Sequence, residues 1–324
     1  MKALIYTRYG KTDVLQLKEV SKPIPRDNEV LVKVFATTVN RTDCATIRAK
    51  PFFMRLVTGL LRPLKQTPGT AFAGKVETVG RNVSSVNVGD EVFGFDDQGA
   101  MAHAEYTSVS ENKIVRIPNT ISFDQAAASI EGAHYAYNFI NKVAIGKEHK
   151  VLVNGATGAI GSAAVQLIKY FGAEVTAVCA TKHIDLVKSL GADKVIDYTC
   201  SDFTKDDQQY DYIFDAVGKS SFLKCKHLLN TGGVYISSDL GYMWQNLILP
   251  LVTGVISPLL GGKKTIFPTP KNIQGSLLLV KELMEQRKFK AVIDSEYPLK
   301  DIVDAYEYVE KGHKLGNIVI TVGH

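Results

Sequence analysis

The sequence predicts an α/β protein with two domains, a β-rich, barrel-like domain and a doubly wound parallel-sheet domain. Three observations predict this fold class: the length of 324 residues, short strand-like runs with glycine turns early in the chain, and apolar strands alternating with amphipathic helices from Val151 onward. A chain of this length exceeds one small core, so two domains are expected. Alternating strands and helices are typical of a parallel sheet covered on both faces.

Strand-like runs fill the first part of the chain. Apolar stretches and two-residue alternation mark them, and glycines separate several of them. The runs are 1–6, 30–34, 73–80, 88–94 and 105–109. Ser122 followed by Gln125 then matches a helix capping box, so the first helix of the next domain is expected to begin here.

The second part repeats a strand and helix rhythm. The expected strands are 151–153, 174–179, 194–197, 212–214 and 233–237, and the expected helices are 160–171, 184–190 and 223–229. Helices at 275–287 and 301–311 and a last strand at 316–322 follow. If that strand rejoins the first domain, the first domain is residues 1–121 with 288–324, and the second is residues 122–287.

Composition excludes several function classes. The net charge is +5, and the lysines are scattered, so no nucleic-acid binding is expected. The four cysteines form no CxxC pair, which indicates a reduced, intracellular and, we expect, cytoplasmic protein. The N-terminus resembles a strand with no apolar signal-peptide core after it.

Two apolar segments have more than one interpretation. Residues 244–260 fall short of the roughly 20 apolar residues that span a bilayer, so no transmembrane segment is expected. Residues 52–61 are similarly apolar. Each segment could cover a cleft, bind a lipophilic acceptor, form a subunit contact or belong to the core.

A glycine-rich turn lies between the strand at 151–153 and the helix that follows. It reads Gly155-Ala156-Thr157-Gly158-Ala159-Ile160-Gly161, and its spacing differs from the common GxGxxG. Glycines allow a tight turn and let backbone N–H groups approach a pyrophosphate, while the helix N-terminus adds partial positive charge. The strand-turn-helix context predicts a dinucleotide site here.

The end of the next strand indicates which dinucleotide binds. Enzymes that use NAD place an acid there for the ribose 2′-hydroxyl, whereas this chain has Ala180-Thr181-Lys182. A hydroxyl and a cation suit a 2′-phosphate, so NADPH is predicted. The alternative is that Lys182 is only a solvated residue at a helix start.

Several stretches together resemble the medium-chain dehydrogenase/reductase superfamily, in its zinc-free, quinone-oxidoreductase-like branch. The resemblance covers nearly the whole chain. Besides the glycine turn, it is carried by residues 27–34, 38–43, 68–74, 88–94, 190–198, 215–218 and 316–320.

The resemblance implies a GroES-like barrel domain, a Rossmann domain and an active site in the cleft between them. It also implies a homodimer. The implied cofactor contacts are the glycine turn and Ala180, Thr181, Lys182, Tyr198, Ala216, Val217, Asn40 and Asn317. Asn317 stands where relatives often carry lysine.

The resemblance also raises the question of zinc. Zinc-dependent relatives would place cysteine at Asn40, histidine at Thr70 and a third ligand near Glu131. Asparagine and threonine are poor zinc ligands, and a catalytic zinc needs three good ones. We therefore expect no bound metal.

Without a Lewis acid, oxidation of a simple alcohol is difficult, and reduction of an activated acceptor is easier. We expect hydride transfer from NADPH to a small lipophilic quinone or α,β-unsaturated carbonyl. Asn40 and, less directly, Thr70 are the candidates for contacts with the acceptor, although Asn40 could instead fix its loop. His134 and Tyr135 could deliver a proton or simply pack. The alternative function is an NADPH-binding sensor or interaction protein with little turnover.

Overall fold

A computed structural model describes residues 1–237 and 245–324. The described chain divides into two compact units, one of residues 1–131 with 272–324 and one of residues 132–271. The domain limits expected from the sequence, at residues 121 and 288, stay a prediction.

The strands in chain order are β1 (Lys2–Ile5), β2 (Gln16–Glu19), β3 (Glu29–Val39), β4 (Ala71–Val79), β5 (Glu91–Phe95), β6 (Tyr106–Ser110), β7 (Ile114–Arg116), β8 (Lys150–Asn154), β9 (Glu174–Cys179), β10 (Lys194–Asp197), β11 (Tyr210–Asp215), β12 (Leu229–Ser237), β13 (Lys264–Ile266), β14 (Ile293–Pro298) and β15 (Asn317–Thr321). The helices are α1 (Arg41–Arg48), α2 (Arg55–Thr58), α3 (Phe123–Ile140), α4 (Ala159–Tyr170), α5 (Ile184–Ser189), α6 (Phe222–Cys225), α7 (Gln245–Ile256), α8 (Ile273–Glu285) and α9 (Ile302–Glu310).

The first unit is built on a mostly antiparallel sheet in the order β14-β15-β3-β4-β5-β7, with β6 also paired to β3. The last strand, β15, pairs antiparallel with β3, for example Ile318 with Val39, which confirms that the chain end returns to the first sheet. Strands β3 and β15 are almost wholly buried, and their Val and Ile side chains form the core together with Phe72 and Tyr306.

The second unit holds a parallel sheet in the order β10-β9-β8-β11-β12-β13. The order reverses after β8, which lies between β9 and β11. Strand β8 is apolar and buried because both of its faces are covered, as expected for an inner parallel strand. The predicted α/β fold class with a parallel sheet is therefore confirmed.

Two local expectations differ from the structure. The helix predicted at 223–229 is one α-helical turn, α6, continued by a 3-10 turn at Lys226–Leu228, and it ends there because Leu229 already pairs with Tyr210 as the first residue of β12. At the start of α3, the Ser122 hydroxyl accepts the Gln125 backbone N–H at 3.3 Å, as predicted. The Gln125 side chain donates to the Ala291 carbonyl and does not return to Ser122, so the capping box is half formed.

Of the apolar segment predicted at 244–260, Trp244 lies outside the described residues, and the rest forms α7 and a following 3-10 turn. Within residues 1–237 and 245–324, no helix combines the length and the apolar character needed to cross a membrane.

Candidate functional site

The glycine turn joins β8 to α4, and two of its glycines are required by packing within the turn. Gly155 has φ +80°, and a Cβ there would lie 2.3 Å from Val217 Cγ1. A Cβ on Gly161 would lie 2.1 Å from the Gly155 carbonyl oxygen. The first turn of α4 therefore packs directly on the end of β8, as the sequence predicts.

Gly158, the residue just before α4, has a different environment. A Cβ there would meet only the Gly155 carbonyl oxygen, at 3.8 Å, and Thr157, Ala159 and Ile160 are half-buried. The first N–H groups of a helix have no partner within the helix and carry partial positive charge. The turn therefore leaves open space beside donors that fit an anionic pyrophosphate, and the chain fits a dinucleotide at this point.

A buried carboxylate holds the next predicted contact against the turn. Asp215, at the end of β11, accepts the Asn154 amide at 3.0 Å and the Tyr235 hydroxyl at 2.8 Å. It also accepts the backbone N–H of Val217 at 3.2 Å. This network fixes Ala216 and Val217 beside Gly155, so these three predicted contacts come together.

The third group of predicted contacts lies at the same edge of the sheet. Ala180 directly follows β9, and Thr181 and Lys182 start a 3-10 turn in which Lys182 is exposed. The Tyr198 backbone N–H donates to the Cys179 carbonyl at 3.0 Å, and the Tyr198 side chain is 60% exposed. Neighbouring parallel strands thus bring Lys182 and Tyr198 to one region.

The sequence reasoning missed Asp197 in this region. Its carboxylate accepts hydrogen bonds from the hydroxyls of Thr181 and Thr199 and from the Thr199 N–H. These hydroxyl bonds, that of Thr181 first, hold the pKa of Asp197 below its ordinary value. The sequence pattern does not give the order of the strands in a sheet, so the place of Asp197 beside Thr181 is seen only from the pairing of β10 with β9.

Asn40 lies at the start of α1 in the first unit and is buried. Its amide nitrogen donates to Glu131 Oε2 at 2.9 Å, with longer bonds of 3.3 Å to Thr38 Oγ1 and to Asn317 Oδ1. Its backbone N–H donates to Asp43 Oδ2 at 2.8 Å. Asp43 therefore holds the backbone at Asn40 in place.

Glu131 joins the two predicted candidates Asn40 and Thr70. The Thr70 hydroxyl donates to the same Glu131 Oε2 at 3.2 Å, and all three residues are buried. The sequence reasoning located Glu131 only as the place of a lost metal ligand. The structure shows that its carboxylate accepts hydrogen bonds from the residues at the other two ligand positions.

Lys314 is the second residue of this cluster that the sequence reasoning missed. Its ammonium donates to Asn40 Oδ1 at 2.9 Å and to the Gly316 carbonyl oxygen. Burial lowers the pKa of Lys314 to about 8, and Glu131 and Asp294 partly oppose that shift. Relatives often carry a lysine at the position of Asn317. Here the lysine is Lys314, three residues earlier, and both Lys314 and Asn317 hydrogen-bond to Asn40.

The carboxylate of Asp43 is buried beside Asn40. Burial, and then the charge of Glu131, raise the pKa of Asp43 well above its ordinary value, and the Asn40 N–H partly opposes them. We name the set Asn40, Thr70, Glu131, Lys314 and Asn317 the polar cluster. Hydrogen bonds link its side chains to one another, and Lys314 is its cation.

These donors do not suit zinc. The three positions hold an amide, a hydroxyl and a single carboxylate, whereas catalytic zinc takes three ligands from imidazole, thiolate and carboxylate groups. In the described parts of the chain, no group of three or more His, Cys, Asp or Glu side chains could hold a metal ion.

The two proton-donor candidates from the sequence lie on α3. His134 is buried, and its ring lies edge-on to the Tyr135 ring, with centroids 5.6 Å apart. The contact is consistent with packing, and a proton-transfer role for either residue stays a prediction.

Two family models match the chain. The alcohol dehydrogenase GroES-like domain matches residues 26–119, and the zinc-binding dehydrogenase model matches residues 190–320. A 2-methylene-furan-3-one reductase of Solanum lycopersicum is 33% identical over 99% of this chain and 79% of that protein. The chain belongs to the medium-chain dehydrogenase/reductase superfamily, in its quinone-oxidoreductase-like branch.

Other members of the superfamily agree with this assignment. An NADPH-dependent alkenal/one oxidoreductase of Arabidopsis thaliana, chloroplastic, is 29% identical over 99% of this chain and 79% of that protein. The solved quinone oxidoreductase from Coxiella burnetii has a TM-score of 0.87 and 26% identity, and covers 100% of this chain and 99% of that chain. The first unit thus contains the GroES-like fold, and the parallel sheet is the Rossmann-type fold.

The open space at Gly158 gives a test of the dinucleotide site. We expect Gly158→Ala to weaken nicotinamide dinucleotide binding at least tenfold without lowering thermal stability, because the new methyl group meets only the space that a pyrophosphate would occupy. Fluorescence titration with NADPH and thermal melting measure the two quantities.

Two glycines serve as controls. Gly161→Ala should lower stability as well as binding, because its Cβ would meet backbone at 2.1 Å. Gly254→Ala, in open space on α7, should lower neither the thermal stability nor the dinucleotide affinity. Unchanged dinucleotide affinity in Gly158→Ala would contradict the site.

The polar cluster gives a second test, through the pH dependence of stability. Lys314→Met should lower the free energy of unfolding near neutral pH by about 2 kcal/mol, because Asn40 Oδ1 and the Gly316 carbonyl lose their donor. A lysine whose folded pKa is depressed binds fewer protons folded than unfolded at pH values between the two pKa values. The wild type should therefore gain stability relative to the variant, by roughly 1–2 kcal/mol, from about pH 8 to pH 9.5.

Urea unfolding over this pH range measures the difference. The charged and titratable groups near Lys314 are Glu131, Asp43, Asp294, Cys44 and Arg41, and all are retained in the variant. Lys300→Met, at an exposed lysine, is the control and should show a pH-independent difference near zero. A difference for Lys314→Met that does not change with pH would rule out a buried ammonium.

Proposed function

We propose that this protein is an NADPH-dependent reductase that delivers hydride, without a metal, to a quinone or an α,β-unsaturated carbonyl. The observation that carries the proposal is the polar cluster. A hydrogen-bonded set of Asn40, Thr70 and Glu131 stands where a zinc-dependent relative needs three ligands. The described chain therefore lacks the means by which zinc enzymes lower the pKa of an alcohol.

The chemistry that remains favours an activated acceptor. NADPH supplies a hydride, and a quinone or an enone delocalises the negative charge that arrives with it. One proton from solvent or a side chain then completes the reduction. The names of two relatives, 2-methylene-furan-3-one reductase and NADPH-dependent alkenal/one oxidoreductase, support this acceptor class.

The polar cluster would position the acceptor. Both the Asn40 amide and the Thr70 hydroxyl donate to Glu131 Oε2, so an acceptor oxygen would compete with that carboxylate for the same hydrogens. Lys314 fixes the orientation of the Asn40 amide by occupying its oxygen. The contribution of the chain is then orientation and hydrogen bonding, with no covalent step.

The preference for NADPH rests on charge at the end of β9. Lys182 is exposed, and no acidic residue stands where β9 ends and the next turn begins. A nearby carboxylate, that of Asp197, accepts hydrogen bonds from Thr181 and Thr199. We propose that Lys182 and Tyr198 receive the 2′-phosphate, while Thr181 keeps Asp197 turned into its own loop.

We also propose a homodimer and a cytoplasmic location. Strand β13 ends the described parallel sheet, and an unpaired edge can extend into a second copy. All four cysteines are free, which suits a reducing compartment.

NADPH oxidation by the purified protein tests the function against a panel of quinones, enones, enals and saturated aldehydes. We expect turnover with the first three classes and none with the aldehydes, because only conjugated acceptors delocalise the charge. Tight NADPH binding with no turnover on any acceptor would favour a sensor or interaction protein.

The cofactor arm of the same assay uses Lys182→Ala. Loss of one charge-assisted contact should weaken NADPH about tenfold and leave NADH unchanged. Lys188→Ala, at an exposed lysine on α5, is the matched control. Equal losses for NADPH and NADH would remove Lys182 from the phosphate site.

A further inference from the structure

The segment of residues 50–65, here the 50–65 loop, exposes an unusual number of large apolar side chains. They are 59–88% exposed, and they are Phe52, Leu56, Leu60, Leu61 and Leu64. Isolated exposed leucines are ordinary on a protein surface, but a group this dense marks a binding surface. The loop was one of the two apolar segments for which the sequence left a lid, an interface or a core open.

The structure holds this loop in place, so its apolar side chains are displayed. The Tyr9 hydroxyl donates to the Gly59 carbonyl at 2.7 Å, and the Leu64 N–H donates to the Thr58 carbonyl at 2.9 Å. The Arg55 guanidinium lies over the rings of Tyr9 and Phe52, at 4.8 and 5.0 Å. These bonds close the loop behind Leu60 and Leu61 and leave both side chains outward.

The charge of the loop identifies its partner. Lys50, Arg62 and Lys65 are exposed among the apolar residues, and the sequence has no Asp or Glu from residue 44 to residue 76. Lysine is depleted in the cores of protein interfaces. In a two-fold contact the same patch would face itself and bring these cations together. An anionic lipid surface matches both the apolar and the cationic parts.

The second apolar segment shows the same combination independently. Along α7 and the turn after it, six apolar side chains are 36–87% exposed and recur at helical spacing; they are Ile248, Leu251, Val252, Val255, Ile256 and Leu259. Lys263 and Lys264 come four and five residues after Leu259, and no Asp or Glu occurs from residue 240 to residue 281. We name these six residues the 248–259 face.

We propose that the 50–65 loop and the 248–259 face are interfacial membrane anchors, each of which binds an anionic bilayer surface without crossing it. The leucines would enter the boundary between headgroups and acyl chains, and the lysines and Arg62 would contact lipid phosphates. This goes beyond the proposed reductase function and does not depend on it. It offers a route to acceptors that are dissolved in a membrane.

Vesicle flotation of the full chain tests the proposal. We expect the protein to float with vesicles of phosphatidylcholine mixed with phosphatidylglycerol at low salt, and much less with phosphatidylcholine alone. Added salt should release it, because exposed charges are screened. Failure to bind the anionic vesicles at low salt overturns the proposal.

Single substitutions test the 50–65 loop and the 248–259 face separately. Leu61→Ser and Val255→Ser should each weaken binding to the anionic vesicles about tenfold, and Arg62→Glu at least fivefold. Ile24→Ser is the control, because Ile24 is 89% exposed and belongs to neither segment, and it should bind as the wild type does. All four positions are exposed, and a thermal melt checks that the variants fold.

Two further outcomes contradict the proposal. If Leu61→Ser binds vesicles as tightly as Ile24→Ser does, the 50–65 loop is not an anchor. If Val255→Ser binds them as tightly as Ile24→Ser does, the 248–259 face is not an anchor. If sedimentation velocity shows that either variant converts a dimer to a monomer, a second copy covers that surface instead of a membrane.

Discussion

The hydrogen bonds of Glu131 are the constraint on which the rest of the functional account depends. A buried carboxylate needs donors, and here the donors are the Asn40 amide and the Thr70 hydroxyl. Asn40 in turn needs a donor for its own oxygen, which Lys314 supplies from the loop before β15. Strand β15 pairs with β3, which ends one residue before Asn40, so the antiparallel return of the chain is what brings this cation to the cluster.

The glycine turn depends on a second buried carboxylate, in the same manner. Asp215 collects donors from the neighbouring strands β8 and β12 and from the backbone that follows it. Its position fixes Val217 against Gly155, so that the strand ends form one edge. In both units, a carboxylate inside the protein holds the residues that the sequence marked as functional.

Sequence reasoning located the features that local patterns encode. The glycine turn, the alternating strands and helices and the Ser122 cap each follow from residues close together in the chain, and the structure has all of them. Asp197 and Lys314 were missed for a different reason. Asp197 matters because β10 lies beside β9, and Lys314 because a loop returns to Asn40 across 274 positions. Neither neighbour relation is visible in a local pattern.

Local sequence patterns also could not decide the role of the two apolar segments, residues 52–61 and 244–260. Their composition left core, lid and interface open, and only the exposure of Leu61 and Val255 removed the core interpretation for those side chains. The absence of acids around them was readable from the start, yet it gained meaning only once the apolar side chains were known to point outward. A protein that reduces lipophilic acceptors has a chemical reason to reach a membrane surface.

The central claim, hydride delivery without a metal, is tested most directly by the metal content of active protein. Inductively coupled plasma mass spectrometry of the purified chain should find zinc far below one ion per chain, and turnover should survive dialysis against a chelator. One tightly bound zinc per chain, with activity lost on its removal and restored on its return, would contradict the account.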